Sequence, residues 1–522
     1  LQPLGHFSAR EGHYTAPTLG SKAVRPRCGR GSGGLTDLAR SADARTGTVD
    51  RKDMMHGVDR PSEQRPRVYD IPGIDPAVVA EVERETSRLL SELIRIDTSN
   101  PPGDETRVAE HMLRWFRERG LEGEIVGEPA ERAGFVLRVD SGRPGPSLLL
   151  LAHEDVVPAN APDWRVPPFS GLIEGDYVWG RGALDIKNLV AAHAVATARV
   201  AAAGGPAAGA LVYACTADEE EGSVGGARWL VRNRPDLVHT DYVINEGGGH
   251  FLERGGRRVY FLESGEKGTA QFRLIVKGET GHASVPLRNG NAVVAAARVI
   301  EALASHEAPL VVDASSEDLV RTLVDAPRLR ERLRDPRTAR AALAELARRD
   351  VQVADMIEPL YGFAFSPTIV RSNSVAVNVF PTRVEVSVDC RMLAGHDEQE
   401  VLTEVRTALD GVEADWDLEW IGPVTPGNSS PYPSRFSEVI AATLKRHVPD
   451  AELAVRHSVG FTDSNWFRAA FPDTIAYNFA PHIVEGYDEV TPRIHNVDER
   501  IHVRDLAFQA LFVERVAQGL LS

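Results

Sequence analysis

Ser147–Leu148–Leu149–Leu150–Leu151–Ala152, running straight into His153–Glu154–Asp155, is the stretch on which the fold turns. Four leucines in a row without polar alternation suit a strand buried on both faces, as in a parallel sheet covered by helices. Ala210–Leu211–Val212–Tyr213–Ala214 repeats that signature, and an Ala-rich helix over 189–203 lies between the two runs. Strand, helix, strand is the unit of a parallel α/β sheet. Upstream, Val79, Val82, Leu89, Leu90, Leu93 and Ile94 predict a helix over 76–96, and 106–119 repeats the helical spacing.

A second region interrupts this core. Strands at Gln271–Val276 and Arg383–Val388 flank helical stretches over 291–304 and 314–350, which predicts an α+β insertion, and core-like pattern returns near 424. The expected division is a catalytic domain made of 76–266 and 424–522, with 267–423 inserted. A chain of 522 residues with 43% hydrophobic composition has material for more than one core. Residues 1–70 differ: Arg25–Pro26–Arg27 and Gly29–Arg30–Gly31–Ser32–Gly33–Gly34 carry no apolar periodicity, so disorder is expected there. Because the chain opens on Leu1 while Met54 and Met55 lie just before the ordered pattern, part of this segment is expected to be an upstream extension. An intact Leu1 region in mass spectrometry of the native protein would refute that.

The formal charge of −16 argues against a nucleic-acid partner, since phosphate binding relies on clustered Lys and Arg. No stretch approaches the roughly 18 consecutive apolar residues that span a bilayer, and the N-terminus has no apolar signal core. Cys28, Cys215 and Cys390 are scattered and odd in number, which suits a reducing compartment, so a cytoplasmic location away from membranes is expected.

Chemistry-bearing residues gather where strands end. In His153–Glu154–Asp155 the pleat sends 153 and 155 to one side, so Asp155 can hold the second ring nitrogen of a ligating His153. Asp185 sits in a glycine-permitted turn before the 189–203 helix, where it could bridge two cations or merely cap the helix. Asp218–Glu219–Glu220–Glu221 packs four negative charges that only solvent or cations make tolerable. Glu246 follows Tyr242–Val243–Ile244, and His495 lies far downstream. Singly, each has an ordinary reading as a core histidine, a cap or a solvated acidic loop. Jointly, two histidines and three carboxylates suit zinc. Gly247–Gly248–Gly249 lacks the Lys and Ser/Thr of a phosphate loop, no G-x-S-x-G elbow is present, and Cys215 reads as core.

Five strings in one order, His153–Glu154–Asp155–Val156–Val157–Pro158, Gly180–Arg181–Gly182–Ala183–Leu184–Asp185–Ile186–Lys187, Asp218–Glu219–Glu220–Glu221–Gly222–Ser223, Gly281–His282–Ala283–Ser284 and His495–Asn496–Val497–Asp498–Glu499, resemble the signatures of a known family. It is that of aminoacylase, acetylornithine deacetylase, succinyl-diaminopimelate desuccinylase and glutamate carboxypeptidase, the di-zinc metallohydrolases, and the resemblance spans about 76–522. It implies a zinc-peptidase-like three-layer α/β/α catalytic domain with an inserted α+β lid and dimerisation domain. One Zn2+ would be held by His153 and Glu246 and the other by Glu220 and His495, with Asp185 bridging; Co2+ or Mn2+ could substitute. Asp155 would orient His153, and Glu219 would be the general base. His282 would reach a neighbouring subunit's site in a homodimer, and Asn378 and Arg391 would bind the substrate's carboxylate. The plain alternative for Arg391 is a surface salt bridge.

Asn188 and Glu154 depart from the family pattern without touching a ligand position. The 314–350 stretch is expected to lengthen the lid and alter the pocket mouth, and Thr462–Asp463–Ser464 to lie near the pocket. The activity implied is hydrolysis of an amide beside a free carboxylate, in an N-acyl amino acid or short peptide. The alternatives are an N-carbamoyl or ureido amidohydrolase and a non-catalytic binding relative; a complete ligand set with Glu219 argues against the last.

Overall fold

The computed structural model describes residues 70–285 and 290–522. The disorder expected over 1–70 falls on residues 1–69 outside that range, as does Cys28. Among the described residues, the main sheet has nine strands in the order Gly123–Val126, Gly134–Asp140, Ala210–Thr216, Ser147–His153, Tyr242–Asn245, Ile475–Asn478, Arg257–Glu266, Ala451–Ser458, with Phe251–Arg254 paired to Arg257–Glu266. Its centre is parallel: Ser147–His153 lies between Ala210–Thr216 and Tyr242–Asn245, and the latter pairs with Ile475–Asn478.

The leucine run explains the layering. Leu148, Leu150 and Ala152 point into one core with the helices Pro76–Ile94, Lys187–Ala202 and Val503–Leu520. Leu149 and Leu151 point into another, with Leu230, Val231, Phe467 and Phe471. Both faces of the strand are therefore buried, and the catalytic part is a three-layer α/β/α sandwich.

A second, antiparallel sheet has the order Gly268–Thr269, Arg383–Met392, Phe272–Lys277, Trp416–Trp420, with Ala364–Ser372 paired to Arg383–Met392. The helices Ala292–Ala304 and Glu398–Ala408 cover one of its faces, closing an α+β core around Phe272, Leu274, Val386 and Val388.

The 314–350 stretch departs from expectation twice. It is cut into Ala314–Leu323, Pro327–Leu333 and Pro336–Arg349, with Val351–Ile357 following, because Pro327 and Pro336 each start a new helix. These helices also do not enlarge the second sheet's core. Leu319, Leu333 and Leu343 pack with Val259, Phe261 and Ala454 of the main sheet, and the Asp318 carboxylate accepts from Val455 N at 2.8 Å.

Candidate metal centre and active site

Three neighbouring parallel strands end at one edge of the main sheet, the usual place for a ligand in an open α/β sheet. His153 is the last residue of Ser147–His153 and opposes Thr216. Glu219 and Glu220 lie in the 3-10 turn just past Ala210–Thr216, and Glu246 directly follows Tyr242–Asn245. Asp185 and His495 come from loops. Gly180 and Gly182, at φ +144 and +88, let the first of these loops turn in front of the helix Lys187–Ala202.

The carboxylate of Asp185 stands between the two histidines. Its Oδ1 is 3.2 Å from His153 Nε2 and its Oδ2 is 3.0 Å from His495 Nε2. Glu246 Oε2 lies 3.6 Å from His153 Nε2, Glu219 Oε2 4.0 Å from the same nitrogen, and Glu220 Oε1 3.2 Å from His495 Nε2. His153, Asp185 and Glu220 offer one group of donor atoms within 4.8 Å of one another, and His153, Glu219 and Glu246 a second. Geometry by itself thus leaves Glu219 among the donors.

Charge crowding dominates this site. Burial pushes Glu219 well up from the ordinary carboxylate range, with Glu246, Asp463 and Glu220 adding to it, and burial together with Asp185 and Asp463 raises Glu246 to about 7. Hydrogen bonds to Asp185 and Glu220 raise His495 to about 10. Burial works against a charged His153, but Glu246, Asp155 and Asp185 lift it well above its usual value. Four crowded carboxylates call for positive charge, and Glu246 Oε1 is buried without a hydrogen-bond partner among the described residues. Two histidines and four carboxylates are a donor set that divalent cations fit.

Asp155 does more than the expected steering of His153. His153 Nδ1 lies 3.0 Å from the Asp155 main-chain oxygen and 3.4 Å from its Oδ1, which turns Nε2 toward the other carboxylates. Its carboxylate also accepts from Asn100 Nδ2 (2.8 Å) and from the backbone N–H groups of Glu219 and Glu220 (both 3.1 Å). It therefore fixes the first ligand and the acidic turn together.

Three residues that the sequence reading named, Asp463 among them as a neighbour of the pocket, have supporting roles it did not assign. Buried Asp463 accepts from Thr216 Oγ1 at 2.7 Å and Ser223 Oγ at 2.5 Å, one residue before and one after the turn 217–222. Asp218, at φ +65, is held by Arg132 (2.8 Å), Asn100 (3.2 Å) and Gly225 N (3.0 Å). Buried Glu499 accepts from Arg181 and from the backbone of Leu184 and Asp185, tying the Asp185 loop to the segment that carries His495.

These residues open into a cavity of about 720 Å³ lined by Asp185, Glu219, Glu220, Glu246 and His495, with Arg391 on the side of the second sheet. Arg391 does make the salt bridge foreseen as its alternative, Nε to Asp389 Oδ2 at 2.9 Å, and still faces the cavity. His282 and Asn378 do not line it. They sit exposed on two joined loops of the second sheet, where Ala283 N donates to the Asn378 main-chain oxygen at 2.9 Å and His282 Nδ1 lies 2.7 Å from Ser284 Oγ.

Residues 149–519 match the profile of peptidase family M20/M25/M40. A succinyl-diaminopimelate desuccinylase from Alkalilimnicola ehrlichii is 27% identical over 444 residues, covering 84% of this chain and 99% of the relative. The human N-fatty-acyl-amino acid synthase/hydrolase PM20D1 is 26% identical over 380 residues, 71% of this chain and 73% of the relative. The fold is shared with an M20 family metallo-carboxypeptidase from Sulfolobus solfataricus (TM-score 0.66, 17% identity, 84% of this chain and 99% of that one) and with human carnosine dipeptidase 1 (TM-score 0.61, 13% identity, 85% and 98%). With this match over most of its length and this donor cluster at its sheet edge, the chain belongs to peptidase family M20/M25/M40 and is a metal-dependent hydrolase.

Proposed function

We propose that the protein is a two-zinc amide hydrolase that cuts an N-acyl amino acid or short peptide at the amide next to a free carboxylate. The observation that carries this reading is Asp185, with one carboxylate oxygen toward each histidine: a bridging ligand needs that arrangement. His153 and Glu246 would hold one cation and Glu220 and His495 the other. Such a pair supplies Lewis acidity, lowering the pKa of a water to about 7 and polarising the carbonyl under attack.

Glu219 takes the proton from the attacking water and passes it to the leaving amine nitrogen, which needs a carboxylate beside the reaction and free of other firm partners. Arg391 pairs its planar guanidinium with the substrate carboxylate. His282, with Asn378, acts across a homodimer on the partner's substrate, in keeping with their exposure outside their own cavity. We place the protein in the cytoplasm, where the buried free thiols of Cys215 and Cys390 would stay reduced. No helix among the described residues is long and apolar enough to cross a membrane.

The test is amide hydrolysis by zinc-loaded protein across N-acetyl, N-succinyl and long-chain N-acyl amino acids, dipeptides and N-carbamoyl amino acids. Turnover of acyl amino acids or dipeptides is expected. Turnover of N-carbamoyl substrates alone, or of none, would overturn the reading.

A further inference from the structure

Arg228 lines the catalytic cavity and plays no part in the chemistry above. It is carried by the helix Ala227–Asn233, just beyond the Glu219–Glu221 turn. Its guanidinium carbon lies 5.0 Å from the centre of the Trp466 ring, and its Nε is buried without a hydrogen-bond partner. Among the described residues no carboxylate pairs with it, unlike Arg391, which has Asp389 at 2.9 Å. Burial, and then Arg232 nearby, pull its pKa down, as expected of a cation short of counter-charge.

The cavity's charges are unevenly matched. Asp185, Glu219, Glu220 and Glu246 would be offset by two divalent cations and Arg391 already has Asp389, which leaves Arg228 with only the exposed Glu221 among the remaining acidic residues that line the cavity. The two guanidiniums come from different layers, Arg391 from the second sheet with Thr269 and Gln271, and Arg228 from the catalytic part with Trp466 and Phe461. Those two rings meet edge to face at 5.7 Å and form an apolar wall beside Arg228. Stacking on Trp466 restrains the guanidinium, so little further ordering is needed when an anion arrives.

We infer that Arg228 is a specificity residue that pairs with a second carboxylate on the substrate, on the acyl side of the scissile amide and joined to it by a short apolar link against Trp466 and Phe461. The inference rests on the hydrolase reading and narrows its substrate to dianions. The carboxylate could belong to a dicarboxylic acyl group or to an acidic N-terminal residue of a peptide.

The experiment compares kcat/KM of zinc-loaded protein on N-succinyl against N-butanoyl derivatives of one amino acid, and on Asp- and Glu-led against Asn- and Gln-led dipeptides. Wild type, Arg228→Gln and Arg228→Lys are measured side by side. The acidic member of at least one pair is expected to lead by roughly tenfold or more in wild type, to lose that lead in Arg228→Gln, and to regain part of it in Arg228→Lys. Which pair shows the effect identifies the source of the carboxylate. Neutral substrates cleaved as well as acidic ones, or an acidic preference unchanged in Arg228→Gln, overturn the inference and leave the hydrolase standing. No turnover of any substrate overturns both.

Discussion

Glu219→Gln keeps the shape of the proposed base and removes its charge, so kcat is expected to fall by about 10²–10⁴-fold while the protein keeps its metal. Metal analysis beside the kinetics checks this; metal lost together with activity would move Glu219 into the ligand set, where its 4.0 Å approach to His153 also allows it to be. Asp463→Ala removes the acceptor shared by Thr216 and Ser223 and is expected to lower kcat by roughly 10- to 100-fold with less change in KM, because it loosens the turn under Glu219 and not the carboxylate clamp. An equal rise in KM would contradict that assignment. The residues brought together at the sheet edge, His153, Asp185, Glu219, Glu220, Glu246 and His495, could be picked from sequence only jointly: each alone reads as a core histidine, a cap or a solvated acidic loop, and it is the ordered motifs resembling one family's that single them out. The supporting roles of Asn100, Asp463 and Glu499 could not, even though Asp463 and Glu499 lie in stretches the sequence reading named: each acts through partners remote in the chain, and Glu499 meets the backbone of Leu184 and Asp185 across 315 and 314 positions.

Helix Lys187–Ala202 holds His193 fully buried, and burial depresses its imidazole to about 3. An unfolded histidine titrates near 6.5, so below that pH the unfolded chain takes up a proton that the folded chain refuses. Stability from this group is complete above about 6.5 and falls by about 1.4 kcal/mol per pH unit down to about 3. Denaturant unfolding of wild type and His193→Leu should show the wild type losing ground as pH falls through that window; parallel profiles would rule the effect out. On the other face, Leu319→Ala should cost about 2–5 kcal/mol in the same assay without loss of metal, because Leu319 is buried among the helices that cover the edge of the main sheet. The central strands were legible because a strand buried on both faces has no polar alternation. Ala364–Ser372 and Trp416–Trp420 went unread because they are partly or mostly exposed and carry mixed polarity. Amphipathic spacing over 314–350 marked an apolar face but not which sheet would receive it.

Taken as a whole, the protein should function as a homodimer in which His282 of each subunit serves the other's site. Mixing Glu219→Gln with His282→Ala chains should then restore activity that neither has alone, since one site in each mixed dimer would regain both groups; silent mixtures that do form dimers would refute the exchange. The two-domain plan was visible in the switch from buried parallel strands to the alternating pattern of Arg383–Met392, whereas assembly depends on surfaces whose shape no spacing rule specifies. The claim on which everything else depends is a metal pair sharing Asp185. Anomalous diffraction at the zinc edge from zinc-loaded crystals tests it most directly. The account predicts two peaks, one beside His153 and Glu246 and the other beside Glu220 and His495, with Asp185 bound to both; a single peak, or two peaks with Asp185 bound to neither or only one, would contradict it.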